Sequence, residues 1–445
     1  MSRADPARRA LDREIARLAL PSLGALVAEP IFLATDTAMI GHLGADPLAA
    51  LGLAATTLQT AIGLMIFLAY ATTPAVARRL GSGDAAGAMR AGFDGLWLAL
   101  GIGIALGVAA WLFATPVLAL FGAEPAVTAA AADYLRVSAW GLPGMLVTIA
   151  ATGLFRGMQD ARTPLVIASA GAAVNVALNA LLIYGLGWGL VGSAAGTALA
   201  QTGMAVACVA IALRAARPLG VGIRPGVGGV LSSLGAGGWI FLRTLSLRVA
   251  LVGTVVVATV HGTTVLAATQ VLSSIFFLLA LALDALAIAG QAMIGHALGA
   301  GRRDHAAAVL RRLLQLSVVG GLALGAVVAV ASPWLGRAFT GDAEILAAIP
   351  AGLLVLALGL PIGGAVFALD GVLIGAGDGR YLALVGALNL VVVVPLLVVV
   401  AVLPLGDAVA VAAVQGVFQV AYMIVRLVTL GLRARSGRWA VVGAD

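Results

Sequence analysis

Residues 28–44 read AEPIFLATDTAMIGHLG, an apolar stretch that nevertheless carries two carboxylates, Glu29 and Asp36. A charge at the centre of a bilayer-spanning helix costs about 2.5–3.5 kcal/mol even on permissive insertion scales, so ionisable residues there are functional by default. A carboxylate in such a place can bind a proton or a cation, or it can hydrogen-bond a neighbouring helix. Pro30 lies six residues before Asp36. A proline leaves a carbonyl unpaired one turn back and predicts a kinked helix. Glu29 precedes Asp36 by seven residues and shares nearly its helix face. It can line a cleft for cationic substrates, serve as a second proton site, or bond to a neighbouring helix. A second polar set follows in AGAAVNVALNALLIYG, where Asn175 and Asn179 are four apart and so on one face. The stretch GSAAGTALAQ adds Thr197. Asparagines also bond helices together in membranes without further function.

These residues need long apolar helices to hold them, and the composition supplies such helices. The chain has 445 residues, 62% hydrophobic and 10% charged, with a mean hydropathy of +1.10. Soluble domains are nearer half apolar and a quarter charged. The apolar runs reach the roughly 20 residues that span hydrocarbon. No short alternating segments of an outer-membrane barrel are present. An all-α polytopic membrane protein is expected, with twelve spans near 16–42, 48–77, 91–120, 127–154, 164–185, 189–213, 233–260, 264–297, 307–336, 345–373, 381–404 and 408–432.

The charges test that count, because positive residues accumulate in cytoplasmic loops. Arginines crowd the amino terminus, the even-numbered loops and the carboxy terminus, whereas Asp46, Glu124, Asp342, Glu344 and Asp407 lie in the alternate loops beside Arg337. The alternation runs through all twelve spans and predicts both termini cytoplasmic. The net charge of +7 therefore belongs to membrane loops and implies no nucleic acid. The charged first seventeen residues read as a cytoplasmic lead-in to the first span.

A shift of 218 residues superimposes the chain on itself. Leu80, Gly81 and Gly83 fall on Leu298, Gly299 and Gly301, and Gly141-Leu142-Pro143 falls on Gly359-Leu360-Pro361. Gly153, Gly157, Asp160 and Arg162 fall on Gly371, Gly375, Asp378 and Arg380. The reading is two six-span bundles of the same orientation, residues 1–215 and 233–445, joined by a cytoplasmic linker at 216–232. Like-oriented repeats of this kind usually flank a central cleft with alternating access, as in a secondary transporter.

Spans one and five both run outward, so Asp36 and Asn179 reach a similar depth, with Asn175 and Thr197 near enough to converge on them. The second bundle has Thr254 at the position equivalent to Asp36. It carries its own charges instead, Arg248 with Asp284 and Arg243 with Asp370 at matching depths. These read as ion pairs bracing that bundle, and the asymmetry assigns ion coupling to the first bundle. One carboxylate most simply takes a proton, because burial penalises its charge. Sodium, which wants several oxygens, is the alternative. No catalytic or metal-binding pattern competes. Cys208 is single, the four histidines are scattered, and GSGDAAG at 81–87 lacks the lysine of a phosphate loop. An enzyme, a cofactor, a bound metal and an obligate protein partner are not expected.

PIFLATDTAMIGHLG in the first span resembles the multidrug and toxic compound extrusion (MATE) transporters, particularly their DinF-like branch. LFRGMQDARTPL, NVALNALLIYGLGWGLVGSAAGTALAQ, ALDALAIAGQAMIGHALGAG and ALDGVLIGAGDGRYL are similar to the same branch, and the likeness covers nearly the whole chain. The resemblance implies a twelve-helix, two-lobed antiporter of the inner or plasma membrane. It would export varied, often cationic and lipophilic, small molecules against inward proton or sodium flow, with membrane lipid around it. It also implies that Asp36 is the coupling residue and that Thr197 is the family's sixth-span threonine. Many relatives have an Asn and an Asp four apart in the fifth span; this chain has Asn175 and Asn179, which favours protons over sodium. A flippase for lipid-linked precursors is a further alternative.

Overall fold

The computed structural model describes residues 6–443. Among them there are helices and no strands, as hydrocarbon demands of any open chain that must satisfy its own backbone hydrogen bonds. Twelve helical spans are long and apolar enough to cross a membrane. The first is α1 (Pro6–Gly41), unbroken through Pro21 and Pro30. From Pro6 onward the charged lead-in is thus continuous with the helix of the first span; residues 1–5 lie outside the described residues. The second span divides at Ile66 into α2 (Ala45–Met65) and α3 (Phe67–Gly81). Next come α4 (Ala85–Ala119), and α5 (Pro125–Ser138) joined by a tight 3-10 turn to α6 (Leu142–Gly157). Then follow α7 (Arg162–Asn179), ending in a π-helical turn over Ala180–Gly185, and α8 (Gly189–Ala216). The second half comprises α9 (Val227–Val260), α10 (Thr263–Gly299), α11 (Arg303–Leu335), α12 (Ala343–Gly375) and α13 (Gly379–Val402). A last span joins α14 (Asp407–Gln415) through a π turn to α15 (Met423–Ser436).

The repeat extends to three-dimensional contacts. The spans Ala45–Gly81 and Pro125–Gly157 recur as Thr263–Gly299 and Ala343–Gly375, each shifted by the same 218 residues. Three turns with left-handed residues recur at the same shift: Gly44 with Gly262, Gly83 with Gly301, and Gln159 with Gly377. So do close helix crossings. A Cβ on Gly103 would fall 2.6 Å from Pro143 Cα, and one on Gly321 would fall 2.8 Å from Pro361 Cα. Small residues let membrane helices approach this closely.

The chain forms two compact units, one of Leu20–Gly237 and the other of Gly238–Gly443 with Met1–Ala19. The boundaries inside α1 and α9 are themselves 218 residues apart. Each six-span half thus leaves the first turns of its leading helix in the other unit. In the second unit, Ile15, Leu18 and Ala19 are buried, and Asp12 pairs with Arg312 of α11 through contacts of 2.5 and 2.8 Å. In the first unit, an apolar core joins Ile40 of α1, Leu51 of α2, Leu118 of α4, Leu135 of α5, Ile183 and Ala194. This core closes around the end of α1 that carries Asp36.

Candidate functional site

Asp36 is buried, with 5% of its surface exposed. Helix α7 presents Asn175 and Asn179, both essentially inaccessible, and their spacing of one turn stacks them along one face. The Asn179 Nδ2 donates to Asp36 Oδ1 at 2.8 Å and to Asn175 Oδ1 at 3.2 Å. The Asn175 Nδ2 in turn donates to Thr197 Oγ1 at 3.0 Å. The structure therefore brings Asp36, Asn175, Asn179 and Thr197 into one hydrogen-bonded chain across three helices.

A residue absent from the sequence reading completes it. Ser193, one turn before Thr197 on α8, donates from Oγ to Asp36 Oδ1 at 2.5 Å. Tyr134 of α5 is buried beside Ser193 and within coulombic reach of Asp36. The available signal was the i,i+4 spacing of Ser193 and Thr197, but a lone serine among alanines and glycines of a membrane helix has many uses. Two glycines of α8 make the geometry possible. A Cβ at Gly196 would strike Asn179 Oδ1, and one at Gly192 would fall 2.9 Å from the Leu182 carbonyl. The π turn begins directly after Asn179, a helix defect common at functional sites.

Two features set the chemistry. Among the described residues no cation pairs with Asp36; its stabilisation comes from two neutral donors on a single oxygen. Hydrogen bonds to a charged group contribute about 1.5–3 kcal/mol each, which helps offset the loss of water. In addition, Asn179 Oδ1 is buried with no hydrogen-bond partner. It is a free acceptor next to the carboxylate.

Glu29 does not join this chain. It lies on α1 with its side chain exposed, about 10 Å along the helix from Asp36 at 1.5 Å per residue. Pro30 adjoins it within the continuous helix.

The charges of the second half are arranged differently from the expected pairs. Arg243 of α9 does pair with Asp370 of α12. The second partner of Asp370 is Arg426 of α15, with Nη2 2.6 Å from Oδ1, its guanidinium 5.7 Å from the Tyr422 ring centroid. Arg248, by contrast, is exposed, while Asp284 is half-buried. Position in the sequence places a residue along the helix axis but carries no azimuth. Five residues turn a helix by about 140°, so Arg243 and Arg248 face different surroundings. Arg426 was missed although it stands inside the apolar run MIVRLVTL.

A family model described as MatE matches residues 21–181 and 242–399. The chain is similar to "Protein DETOXIFICATION 44, chloroplastic" of Arabidopsis thaliana, 31% identical over 392 residues, covering 85% of this chain and 75% of that one. It is similar to "Probable multidrug resistance protein NorM" of Bradyrhizobium diazoefficiens, 33% identical over 355 residues, covering 75% and 74%. Among solved structures, the Vibrio cholerae MATE transporter VcmN in its bent form superposes with a TM-score of 0.87 at 22% identity, covering 98% of this chain and 100% of that chain. This last likeness is one of fold alone.

Proposed function

This chain belongs to the MATE family of multidrug and toxic compound efflux transporters, and from that premise we propose that it is a proton-coupled antiporter whose coupling residue is Asp36. The observation that carries the reading is a buried carboxylate held by the neutral donors of Asn179 and Ser193, with no basic side chain paired to it among the described residues. Protonation removes a buried charge, and a neutral acid binds those donors less tightly, since charge-assisted hydrogen bonds are roughly twice as strong as neutral ones. The α1–α7–α8 packing then loosens, and substrate affinity changes with it. Asp370, neutralised by arginines, is poorly suited to such a cycle, so coupling is assigned to the first half. Lipophilic cations are the proposed substrates, with the exposed Glu29 as their carboxylate contact. The distribution of arginines supports a cell-membrane location with both termini cytoplasmic.

Sodium is the second reading, and the unpartnered Asn179 Oδ1 favours it. That oxygen, Asp36, Asn175 and Thr197 offer several oxygens to a hard cation, though with one negative charge. The deciding experiment uses purified protein in liposomes at clamped potential. Efflux of a fluorescent lipophilic cation is followed under a proton gradient and then under a sodium gradient, for wild type and Asp36→Asn. Proton-driven efflux lost in the variant supports the first reading, and efflux driven by sodium at uniform pH overturns it.

A further inference from the structure

Helix α9 is divided between two bodies. Its residues through Gly237 cluster with one unit and those from Gly238 with the other. The first part is clamped. Asp94, buried in α4, accepts the Gly226 N–H at 3.0 Å, one residue before α9 begins. A Cβ on Gly229 would strike the same carboxylate. From a neighbouring helix, Asp94 thus places a negative oxygen at the start of α9, where the helix dipole favours it. Trp97, three residues along α4, donates from Nε1 to the Ile223 carbonyl at 2.6 Å. The backbone leading into α9 is pinned at two points, Ile223 and Gly226, just before its first residue.

The clamp has a counterpart of opposite polarity. Position 94 shifted by 218 is Arg312, which holds Asp12 near the start of α1. Equivalent sites on α4 and α11 therefore hold the leading turns of the two helices that change unit.

Beyond the clamp, α9 is weak. The sequence LGAGGW puts Gly235, Gly237 and Gly238 within four residues of helix, and glycine is the least helix-favouring residue after proline. Gly237 has a packing reason, since a Cβ there would fall 2.7 Å from Phe67 Cε2. Gly235 and Gly238 have none, as nothing lies within 4 Å of a Cβ at either. A cavity of about 70 Å³ lined in part by Phe67, Ala71, Ser233 and Ala236 leaves room beside this segment. The boundary between units falls inside the same four residues.

We propose that α9 is a hinged strut: Asp94 and Trp97 keep its start on one unit, and the helix flexes at Gly235–Gly238 when the transporter changes state. Hinges are a few positions that absorb a large φ/ψ change, and glycine does so at the least steric cost. The strut is independent of which ion drives transport.

The test is the Gly235→Ala/Gly238→Ala double variant, whose methyl groups enter open space. Its thermal unfolding midpoint should be unchanged or higher and its ethidium affinity in detergent unchanged, while ethidium turnover in liposomes falls by roughly fivefold or more. Gly203→Ala, another helical glycine with nothing near its Cβ, is the control and should keep wild-type turnover. A double variant that turns over like wild type would overturn the hinge. Backbone amide exchange gives a reading that needs no transport. In wild type, residues 234–240 should exchange faster than α9 on either side, and the double variant should lose that contrast. Uniform exchange along α9 would equally overturn the proposal.

Discussion

Asp36→Asn is the most informative single substitution, because the structure indicates that it changes charge with little change in packing. An asparagine is nearly isosteric, and its Oδ1 can accept the same two donors, Asn179 Nδ2 at 2.8 Å and Ser193 Oγ at 2.5 Å. Each bond becomes neutral, dropping from about 1.5–3 to about 0.5–1.5 kcal/mol. Against that loss, a buried ion without a counter-charge disappears, which offsets the change. Folding stability should therefore stay within about 1–2 kcal/mol of wild type, read as the unfolding midpoint in detergent. Coupling should not survive. One pH unit is worth about 1.4 kcal/mol, or tenfold. With one proton exchanged per monovalent cation at zero potential, a two-unit gradient supports a concentration ratio of up to about 100-fold in wild type. In the variant the ratio should be near one, although downhill dye movement can persist. A variant that still concentrates dye against its gradient under a pH difference would refute Asp36 as the proton site, whatever its stability.

Three further outcomes are expected. Gly196→Ala drives a methyl into Asn179 Oδ1; it should cost about 1–3 kcal/mol by overpacking and lower gradient-driven efflux more than tenfold, checked by calorimetry and the liposome assay together. Asp370→Asn leaves the buried Arg426 and the largely enclosed Arg243 without the carboxylate they share; removing one member of such a cluster costs about 3–5 kcal/mol, so a large fall in unfolding midpoint and in yield is predicted. Arg312→Gln removes a pair whose Asp12 side is about one-third exposed. Its cost should be at most about 1 kcal/mol, and the difference from wild type should shrink in high salt.

Much of the architecture could be read from the chain because hydrocarbon enforces simple rules. Apolar length sets the spans, arginine placement predicts their direction, and an exact internal shift exposes the repeat. Asp36, Asn175, Asn179 and Thr197 were identifiable for the same reason: a polar group in a membrane helix needs a partner, and i,i+4 spacing shows which side it faces. What the chain could not show is azimuth and neighbourhood across helices. Ser193 as the second donor to Asp36, Arg426 rather than a second acid–base pair beside Asp370, and the outward turn of Arg248 all depend on which face of one helix meets which face of another. So does the exchange of leading turns in α1 and α9, where helices that are single rods in sequence are divided between two bodies. Composition and periodicity are properties of one strand of chain. The single-oxygen hold on Asp36 and the clamp on α9 are contacts between residues more than a hundred positions apart, and only packing brings those together.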